Sequence, residues 1–496
     1  MTLSIFLHLY QPADQMEDIL EMVTKQSYRP VLQGLQKHKA KVTVNVIGSL
    51  LELFDKYKYY DVLDSLRDLH KSGVVEFTGS AKYHAFLPLI PQEEIYRQIK
   101  MNTEALKFFI GADLEPKGFF PPEMGYNNTV AKVVEELGYN WIIIDEIAGS
   151  YLNGDLDPTA NYKIKGTNLF AYFRDRRISN LIMSSVIRSK AGLVDAIKED
   201  LKVNKYMIAG MDGETFGHHR PGLENFLFEI LQSTEFDLKN ISELKAAFPN
   251  VKEIEVVDST WASSKNDIDR KQQFLSWLDP TNIIHSYQWE FLKFVTNEVY
   301  SLDKALPYYQ EVRKKLDKAM ASDHFWWASA KPWWGMDMIE YGAHLLLETI
   351  MSIPNLSSEK VNQTRKYYED IISTAFTWQR SGLIRKMAKD QNAYLRIPFK
   401  DRTLGVGGAE SGVYFAFIDM MRNLEKQAAA NGEYEKAILW RDAVYKLENK
   451  SEIYDTINAL DLLRLEIPNE YVEKIIGEYK EKYKQIRGGQ PEQRGA

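Results

Sequence analysis

Short β-rich runs alternate with helical stretches through the first half of this chain, and no other feature restricts its fold as much. The runs are Thr2–His8, Lys41–Ile47, Val74–Thr78, Gly118–Phe120, Asn140–Asp145, Asn168–Phe173, Lys205–Met211 and Glu253–Val257. Helical patterns at Asp18–Lys37, Pro91–Phe109 and Asn128–Leu137 lie between them. Strands separated by helices predict a parallel sheet, closed into a barrel or doubly wound. No GxGxxG follows the first run, which argues against a dinucleotide-binding sheet. From about Asp303 the pattern turns helical, with helices expected at Ser357–Met387, Ser411–Asn431, Glu433–Asn449, Ser451–Arg464 and Asn469–Arg487. The organisation read from this is a barrel over residues 1–265, a connecting segment over 266–302, a helical domain over 303–488 expected to contribute to the active-site cleft, and a solvated tail over 489–496.

Polar residues gather just behind the β-rich runs. His8 and Gln11 follow the first, His84 the third, Glu123 the fourth, Asp145 and Glu146 the fifth, Arg174 and Asp175 the sixth, and Asp212 and Glu214 the seventh. In an α/β barrel the carboxyl ends of the strands build the active site, so one rim collects all of these groups. Any one of them could be a helix cap or a satisfied loop residue; the repetition from strand to strand is what points to a site.

Composition removes several classes of function. The 496 residues include 62 Lys plus Arg and 69 Asp plus Glu, a net charge of −7, which does not suit a general polyanion binder, so nucleic acid is not expected as a partner. There is no cysteine, hence no disulfide, thiolate metal site or cysteine nucleophile. The opening MTLSIFLHLYQP has no basic leader, and no apolar stretch reaches about 18 residues, so neither a signal peptide nor a membrane helix is expected and the location read is cytoplasmic. Trp 10, Tyr 28 and Phe 23 make the chain rich in aromatics, which suits a large core or a sugar cleft in which rings stack on C–H faces.

Four segments carry the chemistry: His8-Leu-Tyr-Gln-Pro12, Phe120-Pro-Pro-Glu-Met-Gly-Tyr126, Met211-Asp-Gly-Glu-Thr-Phe-Gly-His-His219 and Ser322-Asp-His-Phe-Trp-Trp327. Two prolines stiffen the approach to Glu123. Asp212 ends the apolar run YMIAGM, and Glu214, His218 and His219 follow in one loop. Two carboxylates and two imidazoles so close suit acid/base chemistry or a metal. The spacing matches neither HExxH nor an EF-hand loop, and adjacent residues of an extended chain face opposite ways, so His218 and His219 do not share an ion; no metal and no cofactor is expected. Trp261, Trp326, Trp327, Trp333 and Trp334 are candidate stacking platforms, with Asp323 and His324 beside the last four.

In order and content this constellation resembles glycoside hydrolase family 57. HLYQP is similar to the family's first motif, Gly79–Leu89 to the second, FFPPEMGY to the third, MDGETFGHH to the fourth, and Ser322–Trp334, the least similar, lies where the fifth belongs. The resemblance covers about residues 1–345. It implies an incomplete (β/α)7 barrel followed by helices. It also implies retaining action on α-linked glucans, as in amylases, 4-α-glucanotransferases, branching enzymes and pullulanases, with some α-galactosidases. Carried over residue by residue, Glu123 becomes the nucleophile and Asp212 the acid/base; read from the residues themselves, His8, Gln11, His84, Glu214, His218, His219, Trp261, Asp323, His324, Trp326 and Trp327 are expected as substrate contacts. The fourth motif ends in His-His where branching enzymes tend to have His-Trp, and the fifth segment departs from the glucanotransferase version, so the subgroup is open.

Retaining chemistry needs one carboxylate to attack while the other gives a proton, so their environments must differ. Here Glu123 is expected to stay ionised and Asp212 to hold the proton. The competing readings are a metal-dependent hydrolase or deacetylase on a similar barrel, which chelation would silence, and a non-catalytic glycan-binding protein, against which the presence of both carboxylates argues. Asn423–Glu448 resembles the UVR helical hairpin of excision-repair proteins, but Tyr434, Ala437 and Trp440 at helical spacing read as ordinary packing.

Overall fold

The computed structural model describes residues 1–185, 187–330, 333–387 and 411–449, with scattered positions between 462 and 478. The helices expected at 451–464 and 469–487 lie largely, and the tail at 489–496 wholly, outside the described residues. The strands are Thr2–Leu9 (β1), Val42–Val46 (β2), Val75–Thr78 (β3), Gly118–Phe119 (β4), Trp141–Asp145 (β5), Asn161–Ile164 (β6), Phe170–Arg174 (β7), Tyr206–Asp212 (β8), Asp237–Leu238 (β9) and Val251–Ile254 (β10). All eight expected runs are found, with shifted ends. β6 and β9 were not expected: β9 has only two residues, and β6 only four, paired antiparallel to β7 across the turn at Gly166.

One sheet runs β3-β2-β1-β8 with β9 beside β1, and the other β10-β6-β7-β5-β4. All pairs except β6–β7 are parallel. Every residue of β1, β2 and β5 is buried, as parallel strands covered on both faces require. Ladder bonds also join the two sheets. Gly79 N–H donates to Gly118 O at 2.9 Å, Phe120 N–H to Gly79 O at 2.9 Å, and Asp175 N–H to Ile208 O at 2.9 Å.

Register decides which strand-end side chains meet. His8 of β1 stands opposite Asn45 of β2 and Asp212 of β8. Asp145 of β5 stands opposite Arg174 of β7.

The helix expected over Asp18–Lys37 is interrupted. It forms as Glu17–Val23 and Arg29–His38 around a π turn at Thr24–Tyr28. Pro30 has no N–H to give the carbonyl of Gln26, so the regular ladder cannot run through this point. The π turn aims two side chains at the strand ends: Ser27 Oγ donates to Gly213 O at 2.9 Å and the Tyr28 hydroxyl to Tyr10 O at 3.0 Å.

By contacts the chain divides into two units. The first is Met1–Ser179, Lys202–Gly213 and Leu231–Gln391, and the second Asn180–Leu201, Glu214–Ile230 and Asn392–Ala496. The helices Ile283–Tyr300, Met336–Met351 and Ser358–Arg380 therefore belong to the same unit as the strands, and their apolar faces share a core with Phe119, Ile142 and Ile144. In the second unit the helices Ser411–Ala430 and Tyr434–Asn449 turn at Gly432, whose φ is +76°. Trp440 is fully buried there with Met420 and Met421, as the packing reading requires, whereas Tyr434 is 67% exposed and takes no part.

Close approach across β4–β5 makes one glycine obligatory. A Cβ on Gly118 would lie 2.0 Å from Cζ2 of Trp141, its ladder partner. Gly118→Ala should lower stability by about 1–3 kcal/mol, the usual cost of overpacking, measured by urea unfolding. An unchanged midpoint would mean that Trp141 can turn aside freely.

Candidate active site

Glu123 sits in a tight turn, not on a strand. Pro121 is extended, Pro122–Met124 form a 3-10 turn, and Met124 N–H and Gly125 N–H close it on Pro121 O and Pro122 O. Glu123 and Met124 are both left-handed, with φ of +61° and +49°. Non-glycine residues hold that conformation only where their surroundings impose it. The clamp is an antiparallel contact in which Tyr126 and Ser259 exchange backbone hydrogen bonds and Trp261 N–H reaches Glu123 O at 3.3 Å. This lays Trp261 along Glu123, and the indole N–H donates to Glu123 Oε2 at 2.8 Å. The residue expected as a sugar platform is thus the hydrogen-bond donor to the expected nucleophile.

Arg176 holds the Trp261 loop from behind. Its guanidinium donates to Trp261 O at 3.0 Å and Ser263 O at 2.7 Å, and Nε bonds Asp145. Asp145 is fully buried and also takes Arg174 at 3.1 Å, while Arg174 Nε donates to Gly210 O at 2.7 Å. The carboxylate behind the fifth run therefore anchors two arginines.

Beside Glu123 lies a buried aromatic row. His8 Nδ1 is 2.8 Å from Asn45 Oδ1, and His8 Nε2 is 3.2 Å from His84 Nε2. His84 Nδ1 is 2.9 Å from Ser322 Oγ and 3.9 Å from Glu123 Oε1. Tyr10 stacks on His84 with ring centroids 3.9 Å apart and donates its hydroxyl to Asp323 Oδ2. His84, like Glu123, is left-handed, with φ of +55°. Ser322 N–H binds His84 O, and Ala85 pairs with Ala321, so the 321–323 segment is attached to the His84 turn by its backbone.

Burial acts on the two carboxyls in the same direction. Burial, then the charges of Asp212 and Asp323, push Glu123 up to about 8, with the Trp261 N–H opposing. Burial raises Asp212 to about 6, with Arg174 opposing, and Asp323 to about 6, with Tyr10 opposing. Both carboxyls are thus driven toward the neutral form, Glu123 by burial and by the neighbouring acids, Asp212 by burial against the opposing charge of Arg174. Burial also lowers His8 to about 4, partly offset by the Asn45 bond, and lowers His84 further below its ordinary value with help from His8, so both rings are neutral at pH 7.

His8, His84, Glu123, Asp212, Trp261 and Asp323 thus lie in one unit, five of them linked by contacts and Asp212 by its ladder place beside His8 and its charge. Gln11 bonds Tyr28 at 3.3 Å and accepts from Gln15 at 2.7 Å. His324 is not brought to the cluster: it is buried against Gly342, where an added Cβ would lie 2.2 Å from its ring. Trp326 stacks on Trp333 with centroids 4.2 Å apart, and Trp327 stands nearly perpendicular to Trp326. Glu214, His218 and His219 belong to the second unit, where Glu214 is buried, His219 N–H binds Glu214 O at 2.7 Å, and the two imidazoles are 5.3 Å apart. Sequence reasoning missed Tyr10, Asn45 and Ser322. Asn45, polar in the middle of VTVNV, and Tyr10, inside HLYQP, were the available signals.

Removing the indole donor tests this electrostatic picture. In Trp261→Phe the Glu123 carboxyl should titrate at a higher pH, because a hydrogen bond that favours its ionised form is gone. Infrared difference titration of the protonated carboxyl measures it, and an unchanged midpoint would remove Trp261 from the account.

Residues 5–257 match the model of Glycosyl hydrolase family 57. A 4-alpha-glucanotransferase of Thermococcus litoralis is 24% identical over 355 residues, covering 64% of this chain and 53% of its own, so the chain spans about half of that relative. The crystal structure of 4-alpha-glucanotransferase from Thermococcus litoralis superposes with a TM-score of 0.57 at 19% identity over 72% of this chain and 59% of that one. A GH57 branching enzyme from Thermococcus kodakaraensis, in complex with glucose and additives, superposes with a TM-score of 0.57 at 15% identity over 74% of this chain and 94% of that one. These likenesses show a shared α/β fold with a parallel sheet and helices after it. With more than half of its 496 residues matched by the family model, the chain belongs to glycosyl hydrolase family 57.

Proposed function

We propose that this protein is a retaining glycosidase or transglycosylase acting on α-linked glucans by double displacement, with Glu123 as nucleophile and Asp212 as acid/base. The observation that carries the reading is a pair of electrostatically coupled, desolvated carboxyl groups in one strand-end cluster. One is oriented by an indole N–H and the other is biased by an arginine. Family membership supports the chemistry, and the glucanotransferase and branching-enzyme relatives support the substrate class. We also infer that the two sheets form an incomplete (β/α)7 barrel. The ring β1-β2-β3-β4-β5-β7-β8 is supported by the ladder bonds at Gly79 and Asp175.

The reaction needs one proton shared between the two carboxyls. With that proton on Asp212, Glu123 attacks the anomeric carbon as Asp212 protonates the departing oxygen. Asp212, now a carboxylate, then takes a proton from water or from an acceptor sugar that attacks the glycosyl-enzyme. Tyr10 fixes Asp323 and stacks on His84, presenting a carboxylate for sugar hydroxyls. Trp326 and Trp327, half-buried and following Asp323 in sequence, are proposed as the stacking faces for the sugar rings.

Incubation with maltooligosaccharides, glycogen and an α-galactoside, with products resolved by chain length, tests the substrate class and separates hydrolysis from transfer. Turnover of the galactoside alone would overturn the glucan reading. Glu123→Gln should abolish turnover with the fold intact, since an amide forms no glycosyl ester. Asp212→Asn should accumulate the covalent intermediate on a substrate with a good leaving group. Azide should restore turnover of that variant with retained configuration; an inverted azide product would remove double displacement, and rescue of Glu214→Gln instead would pass the role to Glu214. Trp326→Ala should raise KM about tenfold or more with kcat little changed, by loss of a stacking face. Unchanged kinetics in a protein that melts early would make Trp326 a packing residue.

A further inference from the structure

We propose that Ser322 is a positioning residue that locks the tautomer of His84, turning an aprotic ring nitrogen toward Glu123 and leaving Oε1 as the attacking oxygen. The consequence for attack rests on the nucleophile reading above; the tautomer does not.

The proton order follows from one end of the chain of bonds. Asn45 Nδ2 lies 3.0 Å from Thr78 Oγ1 and 3.4 Å from Gly79 O. A carbonyl only accepts, so the amide N–H groups face Gly79 and the amide oxygen faces His8. His8 Nδ1 must then be the donor in its 2.8 Å bond to Asn45 Oδ1. His8 is deeply buried and neutral, so its Nε2 is a lone pair. The 3.2 Å contact between the two Nε2 atoms is a hydrogen bond only if His84 donates. A neutral His84 with its proton on Nε2 has a bare Nδ1, and the Ser322 hydroxyl, 2.9 Å away, fills it as donor. Asn45 and Ser322 thus close the two ends of a one-way chain.

The groups that face His84 explain what the order achieves. His8 and Tyr10 come from β1 and the residues after it, Glu123 from the 3-10 turn, and Asp323 through Tyr10; Asp212 stands beside His8 in the ladder. Were Nδ1 protonated, it would offer a proton 3.9 Å from Glu123 Oε1, lowering the basicity and nucleophilicity of that oxygen. With Nδ1 bare, Glu123 is held at Oε2 by Trp261 alone, and among the described residues Oε1 receives no hydrogen bond.

The test is a nitrogen–proton spectrum of the intact, histidine-labelled protein, with the two rings assigned by His8→Gln and His84→Gln. Native His84 should be protonated at Nε2 only and His8 at Nδ1 only; the opposite assignment overturns the lock without any variant of Ser322. Ser322→Ala keeps the backbone bond to His84 O. It should give His84 a population protonated at Nδ1, lower kcat about five- to tenfold with KM little changed, and move the acidic limb of kcat/KM to lower pH. An unchanged tautomer with an unchanged pH profile overturns the role of Ser322. An active Glu123→Gln variant together with the expected native spectrum would remove the nucleophile and leave the lock standing, so the two failures are separable.

Discussion

A polar side chain withdrawn from water must find its partner inside the protein, and the strand ends of this molecule follow from that rule. His8, Asn45, His84 and Ser322 are all buried, and each one's free valence is met by the next. Asp145 is satisfied by Arg174 and Arg176, and Arg176 spends its remaining donors on the Trp261 loop. The partners come from segments distant in sequence, so no member can shift without stranding another. Such coupling holds His84, Glu123 and Met124 in left-handed conformations that cost about 1–3 kcal/mol each.

The same desolvation divides labour among the acids. Glu123, Asp212 and Asp323 are gathered where water is scarce, and all are driven toward the neutral form. What differs is the companion of each: an indole N–H, a guanidinium and a phenol. A neutral donor orients a carboxyl without fixing its charge, whereas a permanent cation biases it strongly. Arg174 thus acts on Asp212 by its charge, although its Nε donates to the backbone of β8.

Alternation of strands and helices was legible because it depends on local periodicity, and the polar residues behind each run were legible because they interrupt apolar ones. Identities of partners were not. That Asn45 and Asp212 flank His8 is a matter of strand register, fixed by residues far away in sequence. Trp261 was noticed as an aromatic, but its N–H matters here, and only the Tyr126–Ser259 pairing brings it to Glu123. His324 looked equivalent to its neighbour Asp323, yet on a helical turn adjacent residues face different ways, and His324 goes to Gly342. The break at Pro30 was open to reading from proline's missing N–H, and its use, to aim Ser27 and Tyr28, was not.

The bond between Ser322 and His84 spans 238 residues. At a synthesis rate of about 5–20 residues per second, His84 leaves the ribosome on the order of ten to fifty seconds before the hydroxyl that completes its surroundings. For that interval a nascent chain can hold its early strands with the two imidazoles still wet and free to exchange protons. The directional order of the row is therefore a late event in the life of the molecule, set when the 321–323 segment docks and closes the ring off from solvent.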